Sequence, residues 1–155
     1  MIRVQADDFD PGAELAAFSA GNGKVGGVCM FLGLVRDYLG DEPGAAANVR
    51  GMTLEHYPGM TERQLAAIEA EARDRWPLHE VLIIHRYGRL EAGARIVLVA
   101  TASSHREAAF QSCHFLMDWL KTKAPFWKIE HTDGGDQWVA AKDQDDCAAD
   151  RWNKK

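Results

Sequence analysis

Two runs rich in Val and Ile, Val81 to Tyr87 and Arg95 to Ala102, flank a connection punctuated by Gly88 and Gly93. β-branched runs of this length read as strands and the glycines as turn positions, so the pair predicts an antiparallel hairpin. Directly after it, Ala109, Phe110, Cys113, Leu116, Met117 and Leu120 recur at helical spacing. Ser104 and Glu107 give that helix a capping-box start, and Pro125 stops it. A chain organised around this strand pair and helix is an α+β protein with predominantly antiparallel pairing.

The flanking sequence extends the pattern. Ile2 to Gln5 alternates weakly and opens a strand; Asp10-Pro11 is an N-cap followed by Pro at the first helical position, predicting a helix through Phe18. Val25 to Val35 (VGGVCMFLGLV) is an apolar run expected as a buried strand, bent or bulged near Gly26-Gly27. Residues 37–48 read as a loop, Val49 to Tyr57 as a strand. Thr61 and Gln64 suggest a second capping box, with Leu65, Ile68 and Ala72 at helical spacing behind it and Pro77 as the stop. Asp133-Gly134-Gly135-Asp136 joins Phe126–His131 to Gln137–Ala140 as a hairpin, and a short polar helix from about Asp143 to Trp152 follows. With no repeat and no linker, residues 1–155 read as a single domain.

Charge narrows the partners. The net charge is −5, which speaks against nucleic acid, yet residues 81–131 carry seven basic and four acidic side chains. That segment also holds four of the six histidines. The asymmetry fits an anion site in an acidic protein, and equally a solvated face. No run is long enough to span a membrane and the first residues lack a leader's apolar stretch, so the expected location is cytoplasmic. Cys29, Cys113 and Cys147 are odd in number and widely spaced, and read as buried or idle thiols. The histidines show no metal-ligand spacing, so neither a metal nor another cofactor is expected.

The candidate chemistry lies at the ends of the long helix. His105 and Arg106 fall at its start, where unpaired N–H groups and the positive dipole end favour phosphate or carboxylate. Arg106 fits an ordinary surface ion pair just as well. At the other end, Leu120-Lys121-Thr122-Lys123-Ala124-Pro125-Phe126-Trp127-Lys128 places two lysines around a Pro-enforced stop and two aromatic residues. Both ammonium groups can point into one partly apolar pocket, where a desolvated lysine beside other cations releases its proton readily and serves acid/base or nucleophilic chemistry. Lysines there are also standard complements of a helix C-terminus. Arg36 ends the apolar run at a strand end, a common place for a ligand contact or a solubilising charge. Ser103 and Ser104 beside His105 carry no nucleophile-elbow pattern, leaving little support for a hydrolase.

Several segments, in order, resemble the large, catalytic subunit family of molybdopterin synthase: Phe31-Leu32-Gly33-Leu34-Val35-Arg36, Leu54-Glu55-His56-Tyr57-Pro58-Gly59-Met60, Ile84-His85-Arg86-Tyr87-Gly88, Ser104-His105-Arg106 and the Leu120–Lys128 segment. The resemblance runs from about Val25 to Trp152. It implies an α/β hammerhead-type fold with an additional antiparallel sheet. It also implies a sulfurtransferase that converts cyclic pyranopterin monophosphate to molybdopterin. In that family the sulfur arrives on the C-terminal Gly-Gly thiocarboxylate of a small ubiquitin-like partner subunit, and two large subunits form the centre of a heterotetramer.

By position, the resemblance makes Lys121 the principal active-site lysine and Lys128 the second, with Arg36, His105 and Arg106 binding substrate. Leu34, Val35, Ile129 and Glu130 fall in the same binding segments. Lys142 stands where the family usually has an arginine reaching the neighbouring subunit's site, and the loop from Asp37 to Asn48 is several residues longer than usual. A rival of another class is a non-catalytic docking module that captures a partner's C-terminal carboxylate.

Overall fold

The computed structural model describes residues 1–37, 49–122, 124–139 and 151–153. In chain order these form β1 (Ile2–Gln5), α1 (Pro11–Ser19), β2 (Gly27–Leu34), β3 (Val49–His56), α2 (Met60–Arg75), β4 (Leu78–Arg86), β5 (Gly88–Glu91), β6 (Arg95–Ser103), α3 (Arg106–Thr122), β7 (Phe126–Thr132) and β8 (Gly135–Val139), with a 3₁₀ turn at Arg151–Asn153. There are two four-stranded sheets, ordered β1-β4-β6-β2 and β5-β3-β7-β8. Among the described strands only the β1–β4 pair is parallel. The architecture is the expected α+β with an added antiparallel sheet.

The central hairpin forms as expected: β4 and β6 pair antiparallel, Ile83 opposite Val99. Their connection does more than turn. Gly88–Glu91 leaves the first sheet and pairs with β3 in the second, Leu90 opposite Met52. Gly51 permits this crossing, because a Cβ there would lie 2.5 Å from the Leu90 carbonyl oxygen. One short segment therefore ties the sheets together. The larger core lies between the first sheet and helices α2 and α3, built on Leu65, Ile68, Ile83, Val99, Phe115 and Leu116. Val35, Met52, Leu54 and Leu90 form a smaller core under the second sheet.

Three local expectations are corrected. The apolar run 25–35 is an edge strand, not a buried one: Met30, Phe31 and Leu34 are exposed, and the register shift falls at Gly33/Leu34 rather than at Gly26-Gly27. Gly26 instead serves a close approach, since a Cβ there would sit 2.2 Å from the Ser104 carbonyl oxygen. Helix α2 starts at Met60, where the Gly59 N–H donates to Glu62 Oε2 at 2.6 Å. Thr61 is buried and donates to the Tyr57 carbonyl rather than capping. Helix α3 starts at Arg106, so His105 precedes its first turn, and Ser104 does not cap it. The Ser104 hydroxyl donates to the Lys24 carbonyl and meets His79 Nε2.

Where the turn chemistry was explicit, the elements follow it. The Asp10 carboxylate accepts from the Ala13 N–H at 2.9 Å with Pro11 in the first turn of α1. Gly135 takes a positive φ of 112° in the β7–β8 hairpin, a conformation that glycine adopts without steric cost. Near the β6 start, Asp8 bridges Arg95 and Arg86. The Arg95 guanidinium, helped by the Phe9 N–H, draws the Asp8 carboxyl down from 3.8 to about 2. The loop at 38–48, Lys123, Lys142, Cys147 and most of the polar helix expected at 143–152 lie outside the described residues.

Candidate functional site

Helix α3 runs back along the strand that precedes it, and this antiparallel course decides which candidate residues meet. At its start the Arg106 Cα lies 3.6 Å from where a Cβ of Gly27 would stand. One turn on, the Thr101 hydroxyl donates to the Ala109 carbonyl at 2.7 Å, and Cys113 Sγ lies 3.8 Å from the Val99 carbonyl oxygen. The residues along α3 thus meet β6 in reverse order, from its Ser103 end towards its Arg95 end. Lys121, in the last turn, belongs to the Arg95 end.

Arg36 belongs there too, because β2 runs from Gly27 beside Ser103 to Leu34 beside Arg95. Lys128 joins them through the second sheet: it sits opposite Leu54, which shares a core with Val35, and its charge acts on His85 near the end of β4. Glu130, opposite Met52, lies on the same face of β7 as Lys128, whereas Ile129 is on the other face opposite Trp138. Val35 is fixed by packing: it is 3% exposed, its N–H donates to Ala94 and its carbonyl accepts from Gly93. Leu34 beside it is exposed.

His105 and Arg106 do not join this group within one chain. Fifteen residues of helix separate Arg106 from Lys121, about 22 Å at ~1.5 Å per residue. Both His105 and Arg106 are exposed.

Between β2 and α3 runs a groove of about 570 Å³ that ends at Lys121. Met30, Phe31, Phe110 and Met117 give it apolar walls. Lys121 lines the groove, Lys128 is not among its described lining residues, and both lysines are exposed in the chain alone. The one carboxylate among the described lining residues, Asp118, is already engaged. It accepts from Trp152 Nε1 at 2.7 Å and pairs with Arg151 at 3.2 Å, while His114 Nε2 lies 3.7 Å away. Trp152 is held in turn by edge-on contact with Phe115 and Trp76. No described residue pairs with the Lys121 ammonium. Under the groove, burial and the neighbouring Cys29 thiol push the Cys113 thiol well up, which leaves it inert at neutral pH.

Several contributors were not evident from sequence. Phe110 and Met117 were read only as core positions of the helix; Phe110 is exposed and both line the groove. His131 links three strands, meeting Thr53 Oγ1 and Asp136 Oδ1 at 2.7 Å each. Among the described residues no group of three His, Cys, Asp or Glu is placed to hold a metal ion. No described helix is long and apolar enough to cross a membrane.

The family model described as MoaE protein matches residues 4–123. This chain belongs to that family. A molybdopterin synthase catalytic subunit of Pseudomonas aeruginosa is 53% identical over 153 residues, covering 99% of each chain, and one of Vibrio cholerae is 48% identical over 97% of each. Among solved structures, the molybdopterin biosynthesis MoaE protein of Burkholderia ambifaria superposes with a TM-score of 0.82 at 52% identity, covering 100% of this chain and 99% of that one. A molybdopterin synthase structure from Staphylococcus aureus gives 0.79 at 26% identity, over 89% and 96%. The family's members thus share the two-sheet fold on which the lysines, Arg36 and the helix start are mounted.

Proposed function

We propose that the chain is the catalytic subunit of a molybdopterin synthase: a sulfurtransferase that converts cyclic pyranopterin monophosphate to molybdopterin, taking sulfur from the C-terminal thiocarboxylate of a small ubiquitin-like subunit. The observation that carries this reading is the apolar groove ending at Lys121, in which the one carboxylate among the described lining residues is occupied by the C-terminal turn. A Gly-Gly tail has no side chains to obstruct such a groove, and its anionic end meets an ammonium with no carboxylate partner among the described residues. Lys121 then acts on the thiocarboxylate carbonyl or the reacting carbon as acid/base or by a transient covalent bond. Lys128 stabilises the negative charge that develops.

The substrate's phosphate is an anion for the start of α3, where His105 and Arg106 add to the unpaired N–H groups. Because that end is about 22 Å from Lys121 in one chain, a complete site takes Arg36, Lys121 and Lys128 from one copy and His105 and Arg106 from a second. The homodimer at the centre of the assembly is in this reading a catalytic requirement. Lys142 is the further cross-subunit contact; a lysine there offers a point charge rather than an arginine fork.

Incubating the protein with thiocarboxylated partner and the pterin precursor tests the assignment. Dithiolene product is the expected result. Stable binding of the partner tail without product supports the docking-module reading instead.

A further inference from the structure

His85 is the next-to-last residue of β4, in register with Val4 of β1 and Val97 of β6, and is 7% exposed. Its Nδ1 lies 2.9 Å from the Arg86 carbonyl oxygen. A carbonyl can only accept, so Nδ1 carries the proton. The ring lies flat on Phe126, with centroids 3.6 Å apart and 13° between planes. Phe126 is the first residue of β7, and Lys128 follows two residues on, on the same face.

The stack therefore joins the end of a first-sheet strand to the start of the second-sheet strand that carries Lys128. Beyond the β3 ladder, in which Phe126, Trp127 and Lys128 sit opposite His56, Glu55 and Leu54, the Phe126 N–H donates to the Ala124 carbonyl and the His56 ring lies 6.3 Å away. Tyr87 backs His56 at 4.4 Å. Between Thr122, where α3 ends, and Phe126 the chain passes Pro125. Where β7 begins relative to α3 therefore fixes where Lys128 stands relative to Lys121. The charged or titratable groups acting on the imidazole are Lys128 and His56, and burial keeps the ring neutral down to about pH 4, so it adds no cation beside Lys128.

We propose that His85 is a positioning residue for sulfur transfer: its ring, stacked on Phe126, sets the start of β7 and thereby the place of Lys128 on that strand. The inference rests on the assignment of Lys128 to the reaction. It names a residue that touches no substrate and acts through one that does.

A double-mutant cycle in the assembled complex separates the two claims. His85→Leu keeps apolar volume but cannot stack flat, and His85→Phe restores the stack. If His85 acts through Lys128, His85→Leu lowers kcat by roughly tenfold with KM for the pterin little changed, and adding it to Lys128→Ala lowers kcat no further. His85→Phe recovers most of the lost turnover. Multiplying effects in the double variant overturn the inference while leaving Lys128 in the reaction. Full turnover of His85→Leu, or equal loss in His85→Leu and His85→Phe, also overturns it. Wild-type turnover in Lys128→Ala overturns the Lys128 assignment, and the inference with it.

Discussion

Lys121→Ala and Arg106→Ala chains, each nearly inactive alone, are expected to regain activity when assembled into mixed dimers. The reason is the length and course of α3. Its first residue and its last turn are about 22 Å apart, too far for one small substrate to touch both in a single copy. In a two-fold dimer the start of one α3 and the end of the other can meet in one site, twice. A mixed dimer then has one site with both lesions and one with none. Random mixing of equal amounts gives about a quarter of wild-type turnover, since half the dimers are mixed and half their sites are intact. Each parent alone should fall far below that: loss of a proton-transferring lysine typically costs about 10²–10⁴ in rate, and loss of a charged hydrogen-bond donor about 1.5–3 kcal/mol. Mixed dimers as inactive as the parents would place both residues in the same copy's site. Measuring turnover of dimers purified through two different tags decides the matter.

The second large effect is on stability in acid. Burial pulls the His85 imidazole down from 6.5 to about 4, with Lys128 and His56 adding to the shift. The unfolded chain takes up this proton near pH 6.5, the folded chain only near 4, so the unfolded state gains protons first. Stability from His85 is therefore complete above about pH 6.5 and is lost as pH falls to 4. The loss is on the order of 3 kcal/mol, a large part of a small domain's total. Asp8 acts in a separate window, because its carboxyl falls from 3.8 only to about 2. Denaturant unfolding at closely spaced pH values should show a decline in wild type between pH 6.5 and 4 that His85→Phe lacks. Parallel curves for the two proteins would remove His85 as the cause.

Much of the fold is legible in the sequence where local chemistry is decisive. Asp10-Pro11 starts α1, the Val/Ile runs at 81–87 and 95–102 pair, and Gly135 turns the last hairpin. What escapes is what depends on neighbours distant in sequence. An apolar run such as residues 25–35 has the same composition in a core or at a sheet edge, and only the strand order makes it an exposed groove wall. Gly88–Glu91 reads as a connection because its strand partner, β3, lies far back in the chain. The capping boxes at Thr61 and Ser104 fail because backbone carbonyls, those of Tyr57 and Lys24, claim both hydroxyls.

The candidate site follows the same division. Residue types and the helix stop pointed to Lys121, and the family resemblance supplied the roles. Spacing alone puts His105-Arg106 and Lys121 at opposite ends of one helix, the feature from which the proposed two-copy site follows. His85 stood in a matched segment with no role, since its partner Phe126 lies forty-one positions further on. Asp118 is another such case: as a helix residue it looks like a natural partner for Lys121, but Trp152 and Arg151 hold it.

The central claim is that sulfur passes from the partner's thiocarboxylate to the pterin at this groove. The most direct measurement follows isotopically labelled thiocarboxylate sulfur in a single-turnover reaction of wild-type protein, labelled partner and pterin precursor. The expected result is a dithiolene product carrying label in both sulfur positions, with the spent partner recovered as a plain carboxylate. A partner that binds and keeps its labelled sulfur while the precursor stays unchanged would contradict it.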